Sequence, residues 1–306
     1  MTEVFKTPTF LKAGDTIGVV SVASKLDRER YEQGKSIVEE EFGLKVRAGD
    51  HIFDHHFNYA GEDEVRLEDL QQMLDNPNIK AIIAGRGGYG TTRIIDQVDW
   101  TSFKKNPKWL VGFSDITALH AKIQSIGYQS IHGPMMVTMT NEQLSTDSLK
   151  NALFGEPLDY IERGHSFNRE GNCKGPIIGG NLCLLAHNVG SSADLDFEGK
   201  ILFIEDIGEY YYNIDRMMVQ LKRAGKLEKL SGLIVGQFSN SKENSTLFGK
   251  TANEIVQEHT AEYIYPVCYD FPIGHEDENR AVRCGEVMEL NITKNQVSLK
   301  TSTPYV

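Results

Sequence analysis

The decapeptide KWLVGFSDIT, residues 108–117, sets one serine where a short apolar run gives way to residues with helical spacing. A serine can act as a nucleophile only if a base takes its proton, and the base works best when an acid orients it. At a strand-to-helix junction, Ser114 is equally suited to be an ordinary helix cap. Candidate partners lie far along the chain. KILFIED, residues 200–206, ends an apolar strand-like run with Glu205 and Asp206. Two acids there either mark a strand reaching solvent or need a partner, because a buried carboxylate is costly alone. His275 lies in the loop-like stretch DFPIGHEDENRAV. Ser114, Glu205 and His275 thus follow the order nucleophile, acid, base, the set that transfers acyl groups. The local frame GFSDI departs from the G-x-S-x-G elbow, with Ile116 where the second glycine would stand.

GRGGYG, residues 85–90, admits three readings. Gly85, Gly87 and Gly90 fit G-x-G-x-x-G, but they follow the third strand-like run and lack the acidic residue a dinucleotide site requires. The glycines can instead serve a tight turn. They can also offer backbone N–H groups to an anion, as an oxyanion hole does. Among nine histidines, His51, His55 and His56 cluster beside Asp50 and Asp54. The stretch reads as a solvated loop rather than a metal site, because loop spacing does not put the rings on one face. His120 reads as a packing residue and His132 as a pocket residue at another strand end. The four cysteines show no CxxC spacing, so they read as inert reduced thiols. No metal or cofactor is expected.

Strands alternating with helices must hold these residues. Residues 15–135 alternate such blocks, which predicts βαβ units and a mostly parallel, doubly wound sheet with ligands beyond its carboxyl strand ends. Beyond residue 140 the pattern loosens. The expected organisation is an N-terminal α/β domain over 1–140, a polar connection over 141–169, and a β-rich α/β domain over 170–306. Net charge is −11, which disfavours nucleic acid and anionic lipid. No run has the length and apolarity of a membrane span, and the N-terminus carries no signal pattern, so the expected location is the cytoplasm.

Taken in order, GRGGYG, LVGFSDIT, SIHGPM, LFIEDIGE, DRMMVQLKRAG, GLIVGQF and FPIGH resemble the LD-carboxypeptidase family of serine peptidases along nearly the whole chain. The resemblance implies a Ser114–Glu205–His275 triad and a two-domain fold with the active site at the domain junction. It also implies an oxyanion hole of backbone N–H groups, which falls on Asp115 and, in the glycine loop, Gly88. The implied substrate is a small peptide: a cytoplasmic murein tetrapeptide that loses its terminal D-alanine during peptidoglycan recycling. Arg86 is a candidate anchor for the free carboxylate, with a structural ion pair as its alternative. A second branch of the resemblance cleaves peptidyl-nucleotides of the microcin C type and would want an aromatic side chain to stack the base. Trp100 and Trp109, the only tryptophans, both fall in the first-domain scaffold. A non-catalytic nucleotide- or sugar-binding protein would explain the glycine loop but leave Glu205 and His275 without work. A homodimer is compatible with the sequence, which does not fix the oligomeric state.

Overall fold

The computed structural model describes residues 5–302. Two sheets organise them. The first holds β1 (Thr16–Val20), β2 (Lys45–Ala48), β3 (Ile79–Ala84), β4 (Trp109–Gly112) and β5 (Ser130–His132), all mutually parallel. The second holds β6 (Asp159–Arg163), β7 (Gly171–Asn181), β8 (Ile201–Ile207), β9 (Gly232–Ser239) and β10 (Val267–Cys268). β11 (Val282–Cys284), late in the chain, returns to the first sheet and pairs antiparallel with β5. β12 (Val287–Ile292) and β13 (Gln296–Thr301) complete the second sheet. The strand orders are β11-β5-β4-β3-β1-β2 and β10-β9-β8-β7-β12-β13-β6. The fold is a mixed α/β two-domain architecture with a parallel sheet.

Sequence pattern explains the two kinds of strand. β3 and β4 are nearly continuous apolar runs and are buried almost throughout, as parallel strands covered on both faces must be. In β12, VMELNI alternates exposed and buried residues, the mark of an antiparallel strand with one wet face. The polar stretch after residue 140, which reads as a connection, folds in part: Gln143–Phe154 is a helix and Asp159–Arg163 is β6. Glu142 caps that helix by accepting from the Ser145 amide, and Gly155 ends it in the left-handed conformation. The weak hydrophobic pattern hid it.

One buried cation ties the glycine loop to the first sheet. Arg66, in the helix Asp63–Asp75, donates to the carbonyls of Val22 and Gly90 and pairs with Asp63. Its guanidinium fills the space a side chain at position 90 would need, since a Cβ there would meet Nη1 at 2.6 Å. Replacing Arg66 by leucine orphans two carbonyls, each worth about 1–3 kcal/mol when left buried without a donor. The expected result is a loss on the order of 3 kcal/mol in urea unfolding, with faster hydrogen exchange in loop 85–90. Wild-type stability in this variant would show that the guanidinium does not hold the loop.

Candidate active site

Ser114 begins the turn after β4 and is one of few non-glycine residues with positive φ, +63°. Such a backbone costs of order 1–3 kcal/mol and is kept where surrounding structure enforces it. The missing elbow glycine finds its explanation here. Gly112 lies against Ile116, so that a Cβ at 112 would meet the isoleucine side chain at 2.9 Å. The small residue before the serine makes room for the large one after it. A helix, Thr117–Ser125, follows the turn.

The glycine loop packs directly on the serine. A Cβ at Gly87 would stand 2.9 Å from Ser114 Cβ and 3.1 Å from its Oγ. The Asp115 side chain reaches back to the same loop, accepting from the Thr91 amide at 2.8 Å. Burial pushes the Asp115 carboxyl up, against the Thr91 bonds and the Arg66 charge that favour its ionised form. Serine turn and glycine loop are therefore one bonded unit.

Glu205 and His275 meet on the second sheet. Glu205 is 0% exposed, and its Oε2 accepts from His275 Nδ1 at 2.6 Å. The β8–β9 register shifts between Ile204 and Asp206, an irregularity of the kind that re-aims side chains. Asp206 serves a different end: it accepts from Asn181 Nδ2 and from the Cys183 and Ile207 amides. Burial and then the Glu205 charge push Asp206 up to about 7. For His275, burial pulls the pKa down. The charge and hydrogen bond of Glu205, helped by Asp206 and Glu276, outweigh it, so the net shift is upward from 6.5.

A cleft of about 410 Å³ is lined by Ser114, Gly87, Gly88, Phe113, Ile207 and His275 among others. Asp27, Arg30 and Arg86 form its charged rim. Ser114 and Gly88 also line a neighbouring recess of about 250 Å³ with Asp115, Asn181, Asp206 and Glu209. Ser114 and His275 share the cleft without a hydrogen bond between them among the described residues, and the Phe113 ring packs 4.9 Å from the imidazole. Catalytic bonds are often long in the absence of substrate. Arg86 makes a 3.5 Å contact with the Lys25 carbonyl, and Arg30 donates to Asn141 at 3.1 Å. No local signal marked Arg30, which reads as an ordinary exposed helix residue, whereas the glycine run did mark Gly87.

Other residues lie elsewhere. His132, read as a pocket residue, is fully buried and bonded to Asn279, because β5 lies inside the first sheet. His120 is buried, bonded to Ser130 and to the Gly112 carbonyl, and burial lowers its pKa to about 4. His51 pairs with Asp54 and His56 with Glu62 near the surface. No three His, Cys, Asp or Glu side chains among the described residues converge as a metal-holding group. Both tryptophans are buried. No helix among the described residues is long and apolar enough to cross a membrane.

Comparison with known proteins gives this geometry its family. Models of the LD-carboxypeptidase N-terminal and C-terminal domains match residues 17–133 and 174–290. The chain belongs to the LD-carboxypeptidase family. It is thereby one of the serine-type carboxypeptidases. It is 34% identical to a Bacillus subtilis protein named "Probable murein peptide carboxypeptidase", over 93% of this chain and 91% of that one. It is 30% identical to the murein tetrapeptide carboxypeptidase of Pseudomonas aeruginosa, over 81% and 84% of the two chains. Among solved structures, the muramoyltetrapeptide carboxypeptidase of Oxalobacter formigenes superposes with a TM-score of 0.86 at 25% identity, covering 95% of this chain and all of that one. The microcin C7 self-immunity protein MccF has the same fold, with a TM-score of 0.87 at 21% identity and coverage of 98% and 99%.

Gly87→Ala puts a methyl group against the serine Cβ, where neither backbone can yield cheaply. In this family member the expected result is a slowing on the order of 10²-fold in labelling of Ser114 by a serine-directed phosphonate, with a much smaller change in melting temperature. Unchanged labelling would show that the loop does not need to approach the serine.

Proposed function

We propose that this protein is a Ser–Glu–His carboxypeptidase that releases the terminal D-alanine of murein tetrapeptides in the cytoplasm, with its active site where the two domains meet. The observation that carries this reading is the shared cleft: the strained Ser114 lines one wall and a Glu205-bonded His275 another. Glu205 accepts a hydrogen bond from His275 Nδ1–H, which leaves Nε2 to accept the Ser114 proton. Ser114 Oγ attacks the carbonyl carbon, and the oxyanion forms beside the N–H groups of Asp115 and Gly88. The geometry of one peptide plane supports Gly88. The Gly87 carbonyl accepts from the Ser24 amide at 3.3 Å, and the Gly88 N–H points the opposite way in the same trans plane. Collapse breaks the C–N bond, His275 returns the proton to the leaving amine, and water then releases the acyl group from Ser114 by the reverse steps.

Position of the base orients the substrate. His275 stands in the larger cleft, so the leaving D-residue lies there and its free carboxylate meets Arg86 and Arg30 at the rim. The acyl side extends toward the recess with Asp206 and Glu209, which suits a diamino acid bearing an ammonium. Neither tryptophan lines the cleft, but Phe113 does and Tyr89 lines the adjoining recess, so the preference for a murein peptide over a peptidyl-nucleotide rests on the murein carboxypeptidase relatives.

Incubation with an L,D-tetrapeptide and an all-L control, followed by mass spectrometry for lost alanine, tests the reading. Loss of alanine from the L,D peptide alone is expected. Ser114→Ala should abolish turnover with the fold intact, a drop of several orders of magnitude. Retained turnover in that variant would remove Ser114 from the mechanism. Labelling-free, tight nucleotide binding would favour a non-catalytic role.

The pH profile follows from His275. The base must be neutral, and its raised pKa keeps imidazolium to higher pH, so kcat/KM should rise through a midpoint above 6.5. Glu205→Gln removes the main groups of effects holding that pKa up while burial still pulls it down. The acid limb should move to lower pH as the maximal rate falls. A limb unmoved by this substitution would mean that another group titrates. Capping the substrate carboxylate as an amide should raise KM in the wild type and change little in Arg86→Ala. Equal losses in both proteins would dismiss Arg86 as the anchor.

A further inference from the structure

Asn279 is a meeting point: its side chain joins its own loop to β5, and its backbone joins the helix Gln143–Phe154. Asn279 Oδ1 lies 3.1 Å from the Gly274 amide and 3.3 Å from His132 Nε2. The Asn279 amide donates to Ser145 Oγ at 2.7 Å. Asn279 is buried, and its Nδ2 finds no partner among the described residues. Only the oxygen of the amide is in use.

The bonding fixes the protons. The Gly274 N–H can only donate, so the atom facing it is the carbonyl oxygen of Asn279. His132 Nε2 must then carry a proton to donate to the same oxygen, which leaves Nδ1 bare. That atom has no partner among the described residues. His132 is 0% exposed and burial holds its pKa well below the usual value, so the ring stays neutral. It stands in β5 of the first sheet, with the Phe113 ring 5.9 Å away and the Phe203 ring of β8 at 5.0 Å. Gly274 immediately precedes His275, and a Cβ on it would stand 3.3 Å from Glu205 Cβ.

We infer that Asn279 is a positioning residue that fixes His275 relative to Ser114, by holding Gly274 against a hydrogen-bond donor in the sheet that carries the serine. The inference rests on His275 being the base. Its chemical content is acceptor strength at one point: two donors from the two halves of the molecule share one oxygen. Without it, the Gly274 amide is unpaired and the turn carrying His275 is free to shift. A displacement of about 1 Å in a reacting group costs on the order of 10² in rate.

Three variants decide it: Asn279→Ala, Asn279→Asp and His275→Ala, each assayed on the L,D-tetrapeptide with the folded fraction counted by circular dichroism and urea unfolding. Asn279→Ala should lower kcat on the order of 10²-fold per folded molecule with KM within about twofold. Asn279→Asp keeps the acceptor and loses only the unused Nδ2. It should recover most of kcat at high pH, with its acid limb moved upward. The groups already facing His275, namely Glu205, Asp206 and Glu276, remain in place, and the new carboxylate adds to them. A merely structural Asn279 would lower the melting temperature and the folded fraction but leave kcat per folded molecule intact, which would overturn the inference. So would an aspartate variant with an unmoved limb, which also decides the matter if the alanine variant fails to fold. Retained turnover in His275→Ala would overturn the base assignment itself. An inactive His275→Ala beside a normal Asn279→Ala would overturn the positioning role alone.

Discussion

A carboxylate with no surface in water must find its compensation inside the protein, and for Glu205 that compensation is a single 2.6 Å bond to His275. Much of the second domain is arranged so that this bond can form. The register of β8 slips at Glu205, which aims that side chain at the imidazole while Asp206 binds the Asn181 side chain and the Cys183 amide. Glycines make the space. A Cβ at either Gly236 or Gly274 would lie 3.3 Å from Glu205 Cβ. The electrostatic result is an imidazole pulled down by burial and raised, on balance, by its carboxylate neighbours.

The first domain solves a complementary problem, which is to hold a serine backbone in a conformation it does not prefer. Ser114 at φ +63° is clamped from three sides. Gly112 yields space to Ile116, His120 binds the Gly112 carbonyl at 2.8 Å, and Gly87 packs on the serine Cβ. Asp115 then locks the glycine loop by bonding the Thr91 amide, and Arg66 holds the loop's last carbonyl. Each bond is modest in net energy, but each would leave a buried group unpaired if broken, and that asymmetry gives the turn its stiffness.

The two solutions have to meet at one cleft, and the chain joins them by crossing back. β11 leaves the second half of the sequence to pair with β5 of the first sheet, and Tyr160 of β6 donates to the Ala281 carbonyl just before it. Ser145 and Ser148, on the helix Gln143–Phe154, bond the amides of Asn279 and Ala281. The loop that carries His275 is thus anchored to the sheet that carries Ser114 rather than only to its own.

Much of this was legible in the sequence. The alternation of strand-like and helix-like blocks over residues 15–135 marked the parallel sheet, because local periodicity reports which face is buried. The glycine loop, the serine junction and the paired acids stood out as residue types that strand ends do not need for packing. The helix Gln143–Phe154 and β7 did not stand out, since polar helix faces and glycine-rich strands carry weak periodic signals. Periodicity alone did not separate Glu205 from Asp206 as the partner of the histidine, because a register shift in one ladder decides it, whereas the motif LFIEDIGE, through the family resemblance, pointed to Glu205. The burial of His132 was beyond sequence, and so was the role of Asn279, an asparagine in an acidic loop with no local mark. The sequence by itself determined most of the first-domain strands and the turn residues through spacing along the chain, and it pointed to the family through motifs that resemble those of LD-carboxypeptidases. Only the tertiary structure decided which polar atoms share a hydrogen bond across more than 100 residues, because that depends on strand order and register, which local periodicity does not encode.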